Sequence, residues 1–185
     1  MISVKLIPSA MKKNLLILGV LLFLGFTSCG SDDDSENPLP MEMDFTGRVI
    51  SCGDFFVNQL LSPGEVNIAL EIKGSGREML GLTSEFTSFS LPHNDLEVSI
   101  SEWDGPAGEV FCNDVITEGP NRINSWTAVS GNLRIQVSNI EETEFETLYT
   151  ITLELENVVF ENSNGEQRII PELLIEEAAV GWLPG

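Results

Sequence analysis

Two short segments, Cys52-Gly53-Asp54 and Cys112-Asn113-Asp114, each carry a cysteine followed two residues later by an aspartate. Side chains two apart on an extended strand share a face, so a bridge between the cysteines would bring Asp54 and Asp114 together. Two close carboxylates repel unless a cation or hydrogen bonds intervene. Calcium takes roughly six to eight oxygen ligands, and Asn113 or backbone carbonyls could complete its shell. The favoured interpretation is that each aspartate caps a turn and that no cofactor is bound, and calcium is the one candidate cofactor beside it.

Catalysis finds little support in the residue types. His93 is the only histidine, so a serine-histidine-acid mechanism would depend on it, and it lies in the turn Pro92-His93-Asn94-Asp95. No Gly-x-Ser-x-Gly, His-Glu-x-x-His or phosphate-binding glycine loop occurs, and zinc-ligand spacing is absent. Glycoside cleavage needs only two carboxylates about 5 to 9 Å apart, and the chain has 29 acidic residues. We expect a protein that is not an enzyme, and a small glycan hydrolase using a carboxylate pair is the alternative.

An aromatic ring beside an acid offers a second kind of site. Trp103 opens the polar turn Trp103-Asp104-Gly105-Pro106. An exposed indole with acids beside it presents an apolar face and polar groups to a sugar ring. Trp103 and Asp104 are therefore candidate ligand-binding residues. The alternative is that Trp103 folds back and covers an open end of the domain.

The elements that position these residues are predicted by alternation of apolar and polar residues, which is typical of strands with one wet face. Turn-forming clusters separate the alternating segments about every ten residues, as in antiparallel sheets packed face to face. We therefore predict an all-β fold, an antiparallel β-sandwich of about eight to ten strands, with a β-barrel as the alternative. The clearest alternating positions are Val66, Ile68, Leu70 and Ile72; Leu96, Val98 and Ile100; Leu133, Ile135 and Val137; and Tyr149, Ile151, Leu153 and Leu155.

Other segments are less regular. Residues 54–61 resemble a helix capped by Asp54 and could equally be a strand. The apolar phase slips after Leu155, which predicts a bulge or bend near Asn157. Further strands are expected near residues 44–52, 84–91, 108–112, 124–129 and 172–182.

Composition and charge set the domain organisation and limit the partners. The chain has 185 residues, of which 42% are hydrophobic, and we expect one globular domain over residues 43–185. The formal net charge is −20, and the only charged residues before Cys29 are three lysines, so the remainder is more acidic still. Such a surface repels nucleic acid and anionic lipid. We therefore expect no nucleic-acid partner, and any membrane attachment must be covalent.

The first residues have the pattern of a cleaved export signal. Met11-Lys12-Lys13 precedes an apolar run over residues 15–26, and Met11 is the expected start. This run of 12 residues is too short to span a bilayer, which takes about 20. We therefore expect residues 1–28 to be a signal peptide, followed by an acidic, flexible tether over residues 29–42.

The segment Phe26-Thr27-Ser28-Cys29-Gly30 resembles the lipobox of bacterial lipoproteins, with Phe26 where leucine is usual. In that family the cysteine is acylated and becomes the mature N-terminus. The next residues, Ser31-Asp32-Asp33-Asp34-Ser35-Glu36, are similar to the acidic export signal of Bacteroidetes-type surface lipoproteins. The resemblance implies lipid on Cys29 and a location on the outer membrane, facing the cell exterior. A periplasm-facing lipoprotein is the alternative.

Lipidation of Cys29 would leave two of the three cysteines, Cys52 and Cys112, to pair in an oxidising compartment. The alternative is two unrelated buried thiols. The sequence thus favours a non-catalytic, surface-anchored binding or assembly module, with a glycan or an envelope protein as partner. A structural component of the envelope is a further alternative beside the hydrolase. No family emerges for residues 43–185.

Overall fold

The fold is described from a computed structural model, which describes residues 39–76, 80–113, 118–142, 144 and 147–181. Its contacts divide the chain into two units, Met1–Pro38 and Leu39–Gly185, and the described residues all belong to the second. The predicted signal peptide, Cys29 and most of the tether lie outside the described residues, as does Asp114. No helix in the described ranges is long and apolar enough to cross a membrane.

Strands make up nearly all of the regular structure, so the all-β prediction is confirmed. Alternation of apolar and polar residues produces strands because it buries one face of a sheet and leaves the other wet. The strands are β1 (Met41–Glu42), β2 (Val49–Cys52), β3 (Phe56–Leu60), β4 (Ile68–Gly74), β5 (Thr87–Ser90), β6 (Leu96–Trp103), β7 (Arg122–Glu142), β8 (Thr147–Glu161) and β9 (Gln167–Gly181).

The strands form one mixed sheet in the order β1-β9-β8-β7-β6-β4-β3-β2, with β5 paired to β7 beside β6. Only the β1–β9 pair is parallel among the described strand pairs. The sheet curls into a half-barrel, and two separate facing sheets are not seen in the described part, so the sandwich is not confirmed. The reason is length: β7, β8 and β9 have 21, 15 and 15 residues, and long twisted strands with bulges curl a sheet upon itself.

Residues 43–48 hold the two ends of this sheet together. The Met43 amide donates to the Ile169 carbonyl on β9 at 2.8 Å, and the Thr46 amide donates to the Leu61 carbonyl after β3 at 2.8 Å. The buried Gln59 side chain of β3 adds two bonds, donating Nε2 to the carbonyls of Phe45 and Gly47. A short stretch of chain therefore bridges what would otherwise be two open edges.

The main core fills the inside of the curl. Of the predicted alternating positions on β4 and β6, Leu70, Ile72, Val98 and Ile100 face inward. The predicted positions on β7 and β8 also belong to this core. Fully buried side chains on the long strands include Leu133, Ile135, Ile151, Leu153, Leu155 and Phe160. The alternation thus identified the inner face correctly except at Val66, which packs against a second cluster with Leu60 and Ala69.

The structure decides one prediction that was left open, at residues 54–61, and differs from the sequence predictions at three other places. Residues 54–61 contain a strand, β3, and not a helix. The strand expected over residues 108–112 is absent, because the short 3₁₀ helix Ala107–Glu109 and a turn occupy this part. Of the strand expected over residues 44–52, only β2 forms, and β7 unites two segments that were predicted separately.

The predicted irregularity near Asn157 is present. Asn157 has φ +50, and the facing strand β7 shifts its register between Ser130 and Asn132. Between those two residues lies Gly131 with φ +114, where a Cβ would collide with the Val158 backbone. The bulge therefore depends on a glycine on one strand and on an asparagine, which tolerates the left-handed region, on the other.

Candidate functional site

The two predicted calcium ligands that the structure describes, Asp54 and Asn113, do not lie on strands. Asp54 is exposed in the turn between β2 and β3, and Cys112 has φ +56, a left-handed conformation. Asn113 donates its side-chain amide to the Glu109 carbonyl at 3.3 Å. No group of three or more His, Cys, Asp or Glu side chains that could hold a metal occurs among the described residues. With Asp114 outside them, the calcium site stays a prediction.

The Cys52–Cys112 disulfide is present, with the two Cα atoms 5.8 Å apart. It fastens the loop between β6 and β7 to the end of β2, on the outer face of the sheet. Beneath this loop is a second, smaller hydrophobic cluster, separate from the main core. Its buried members are Leu60 and Ala69 from the sheet and Ala107 and Phe111 from the loop.

Trp103 is packed against this loop. The Phe111 ring meets it edge to face with centroids 6.0 Å apart, and the Arg122 guanidinium lies 4.9 Å from its centroid. The indole Nε1 is buried without a hydrogen-bond partner among the described residues. This placement matches the covering role, and a sugar platform at Trp103 stays a prediction.

Asp104 closes the base of the same loop. Its Oδ1 accepts the backbone amide of Asn121 at 2.7 Å, and its Oδ2 accepts the Asn121 side-chain amide at 3.0 Å. The side-chain hydrogen bond from Asn121, followed by the backbone one, lowers the pKa of Asp104 because both donors favour the charged form. Asp104 therefore holds the loop closed, and its carboxylate oxygens are both engaged.

A row of polar residues crosses the outer face of four strands. Asn58 on β3, Glu71 on β4, Ser99 on β6 and Thr127 on β7 are successive register partners. Asn58, Glu71 and Ser99 are buried even though they lie on the side away from the main core. Burial of polar residues in a neighbouring set is uncommon and calls for specific partners.

Glu71 is the centre of this row. Its side chain is 1% exposed and accepts from two cations: Lys73 Nζ lies 3.1 Å from Oε2, and an Arg122 terminal nitrogen lies 3.2 Å from Oε1. The same Arg122 nitrogen is 3.3 Å from Oε2, so the contact is shared between both oxygens. The carboxylate is thus fully desolvated and doubly paired, the condition under which a buried charge is tolerated.

Arg122 reaches Glu71 across an intervening strand. Arg122 is on β7 and Glu71 is on β4, with β6 between them. At the usual strand spacing, the backbones of β4 and β7 are about 10 Å apart. The outward residues of β6 below this path are Ser99 and Ser101, both buried. Their small side chains leave room for the arginine to lie across the strand with Trp103 against it.

An open groove, here called the His93 groove, adjoins this cluster with a volume of about 460 Å³. It lies at a fork in the sheet, because β6 pairs with β7 up to Thr127 and β5 pairs with β7 only from Asn132 onward. The polar side chains that line it are Lys73, Ser75, His93, Asn94, Asp95, Glu97 and Thr127.

His93 itself is held by its own turn. Its Nδ1 accepts the Asp95 amide at 3.2 Å, and its ring meets Phe89 edge to face with centroids 5.2 Å apart. Its described contacts include no serine or threonine hydroxyl, so no nucleophile and base are paired there in the described part. His93 is therefore a wall residue of the groove in this structure.

A second open groove, the β7 groove, has a volume of about 490 Å³. Arg122, Asn124, Ser125 and Thr127 of β7 form one side. The hydroxyls of Ser125, Thr127 and Ser163 make no hydrogen bond to another described residue, so they are open to a ligand. The remaining lining residues are Ile123, Glu161 and Asn162.

The two grooves share one lining residue. Thr127 lines both, Lys73 lines only the His93 groove and Arg122 lines only the β7 groove. Both cations are bound to the same buried carboxylate, Glu71. One side chain beneath the surface therefore fixes a hydrogen-bond donor in each groove.

Sequence reasoning did not identify Glu71, Lys73 or Arg122 as site residues. Glu71 was visible only as a polar residue on the wet face of a predicted strand. Its partner Arg122 is 51 residues away in sequence, and no local spacing connects the two. The strand order, which places Arg122 two strands from Glu71, would have been needed to predict this pair.

Comparison with protein-family models, with curated proteins and with solved structures found no match to this chain.

Proposed function

We propose that this protein is a lipid-anchored, non-catalytic binding module on the outer membrane, facing the cell exterior, whose ligand lies in the His93 groove and the β7 groove. The observation that carries the proposal is the buried Glu71, which orients Lys73 and Arg122 at two adjoining grooves. Preorganised polar groups in a concave surface are what ligand sites require.

Stability alone does not account for Glu71. Replacing a buried ion pair by apolar side chains of similar volume is often neutral or stabilising, so a fold has no need of one. The neighbouring outward residues already include a small apolar cluster with Leu60 and Ala69, which more apolar residues could extend. Retention of a desolvated carboxylate with two cations therefore favours a role in presenting those cations.

Four carboxylates are held by hydrogen bonds or ion pairs and are thereby poorly suited to hydrolysis. Glu71 is paired with two cations and Asp104 with Asn121. On the outer face of β8, Glu154 and Glu156 are both paired with Arg134. A general acid or base must be free to exchange a proton with a substrate, and these carboxylates are engaged.

The proposed cellular location depends on the sequence. The lipobox-like segment around Cys29 and the acidic residues 31–36 support export, acylation and display at the surface. Two or more acyl chains hold a protein stably, because each buried methylene contributes about 0.8 kcal/mol. An acidic body near anionic lipid gains no attraction of its own, so the lipid is what retains it.

The anchor is tested in cells that express the full chain. Cys29→Ala should move the protein from the membrane fraction to the soluble fraction, whereas wild type should stay with membranes. A membrane-impermeant biotin reagent should label wild type on intact cells. Retention of Cys29→Ala on membranes would contradict the lipid anchor, and absence of labelling would contradict display at the surface.

Binding is tested with a leucine-sized photoreactive diazirine residue at position 127 in the displayed protein, much smaller than a tyrosine and therefore able to leave both grooves open. Illumination should give a cross-linked product with an extracellular polysaccharide or an envelope protein. The matched control is position 152 on β8, since Thr152 lies outside both grooves. Equal products at both positions, or none at position 127, would contradict a ligand site in the grooves.

A further inference from the structure

We infer that the ligand of the two grooves is a neutral polysaccharide chain, lying across the outer face over Thr127. The inference depends on the proposed binding function and specifies its ligand class.

Charge excludes an anionic ligand. The grooves are lined by Asp95, Glu97 and Glu161, while the two lining cations, Lys73 and Arg122, share the buried Glu71. A carboxylated or sulfated polymer would thus meet more carboxylates than cations, within an already acidic protein of net charge −20.

The other described basic residues, Arg48, Arg134 and Arg168, line neither groove. Four of the five described basic residues lie over aromatic rings, which restrains where their charges point. The distances to the ring centroids are 5.1 Å for Lys73 over Phe56, 4.9 Å for Arg122 over Trp103, 4.5 Å for Arg134 over Phe86 and 4.8 Å for Arg168 over Trp126.

The lining groups match a hydroxyl-rich ligand. The free hydroxyls of Ser125, Thr127 and Ser163 can each donate and accept, as sugar hydroxyls do. Lys73 and Arg122 add donors that stay fixed by Glu71, and Glu161 adds acceptors. A neutral chain supplies both partners to such a mixed set without burying a net charge.

The combined length fits a chain and not a single sugar. The grooves extend from Lys73 on β4, over β6 and β7, to Glu161 on β8. Three strand spacings correspond to about 14 Å, which exceeds the width of one sugar ring. Because both grooves are open, the chain can continue beyond either end.

A protein partner is less well matched. Protein interfaces depend on a few buried apolar or aromatic anchors that fill pockets. Ile123, 59% exposed, is the one large exposed hydrophobic side chain among the described lining residues. A single aliphatic side chain suits the C–H face of a sugar ring and is too little for a protein interface of standard size.

The test uses the full lipoprotein solubilised in detergent. Affinity electrophoresis is run in gels that contain unbranched neutral polysaccharides, and in parallel gels with polygalacturonate as the anionic probe. A neutral polysaccharide should retard the protein, and the retardation should persist at high salt because no ion pairs form with the ligand. Polygalacturonate should not retard it.

Substitutions locate the binding. Thr127→Tyr fills the wall that both grooves share while keeping strand propensity, and should weaken retardation at least tenfold. Ser163→Trp, at an exposed turn position, should weaken it through the β7 groove alone. Thr152→Tyr on β8 is the matched control and should bind like wild type, with circular dichroism confirming that each variant is folded.

The outcomes separate this inference from the proposed function. Retardation by polygalacturonate alone, or an envelope protein as the product at position 127, would overturn the neutral polysaccharide and leave the binding module standing. Neutral binding that Thr127→Tyr and Ser163→Trp do not change would overturn this site. No polysaccharide retardation together with no cross-linked product would overturn both.

Discussion

The two faces of strand β4 are stabilised by different interactions. Leu70 and Ile72 point inward and are completely buried among other apolar side chains. Ala69 and Glu71 point outward and are equally buried, but under a loop that a disulfide fastens and among paired charges. The inner face is held by apolar area, which is non-directional, whereas the outer face depends on particular partners at particular distances.

The two faces therefore tolerate substitutions differently. An apolar core accepts substitutions that preserve volume, because no single contact is essential. A desolvated ion pair does not accept the loss of one partner, because a charge is then left buried alone. We therefore expect the inner face to set stability and the outer face to set function, and the following predictions test that division.

The largest effect on stability should come from the inner face. Phe160→Ala removes a fully buried ring and should destabilise the domain by about 3–5 kcal/mol. Urea unfolding followed by circular dichroism measures this as a shift in midpoint at constant slope. The control is Thr152→Ala, on the outer face of the same strand, β8. It should change stability by less than about 0.5 kcal/mol. Similar losses of stability in both variants would contradict the larger contribution of the inner face.

The next largest effect should come from the disulfide. Cys52 and Cys112 are 60 residues apart in sequence, so their bond restricts a long loop of the unfolded chain. Replacing both by serine should cost about 2–4 kcal/mol in the free energy of unfolding. The same change should loosen the loop over the outer cluster, seen as altered tryptophan fluorescence from Trp103. A double variant as stable as wild type would show that the disulfide does not contribute to the stability of the fold.

A smaller effect on stability is expected at Glu71. Glu71→Gln should destabilise by about 1–3 kcal/mol, below the value for fully buried pairs, since Lys73 and Arg122 are 38% and 39% exposed. Glu71→Met, of similar volume, should cost less. Both variants should nevertheless lose ligand binding, because neither orients the two cations. Full binding by a folded Glu71→Met protein would contradict the role given to this carboxylate.

The smallest effect is expected at Asp104 and depends on pH. Its pKa is lowered in the folded state, so its hydrogen bonds to Asn121 stabilise the fold above the unfolded pKa, near 3.8. That stabilisation is lost as the pH falls through the lower, folded pKa. Asp104→Asn should therefore melt below wild type at neutral pH and approach it in strong acid. A difference in melting temperature that is the same at all pH values would contradict this assignment.

Much of the fold could be predicted from the sequence. Alternation at Leu133, Ile135 and Val137 identified buried positions, since period-two burial follows from strand geometry. The slip after Leu155 identified the bulge at Asn157. The curl was not predicted, because alternation shows which face is buried and not whether the facing strand belongs to the same sheet.

The candidate site was less predictable. Trp103 and Asp104 were identified by their types, yet the structure packs one against Phe111 and bonds the other to Asn121. The shared face expected for Asp54 presumed extended backbone at both cysteines, and a left-handed Cys112 departs from it. A residue's type shows what chemistry it can do, whereas its partners depend on which strands become neighbours.

Residue types at short spacing were enough to predict the all-β fold, most inner core positions, the acidic surface and the export pattern around Cys29. The position of β6 between β4 and β7 became known from the folded structure. That order places two serines between Glu71 and Arg122 and lets the arginine reach across them. Such a cluster joins residues far apart in the chain, so its existence follows from strand order and register, which no local pattern encodes.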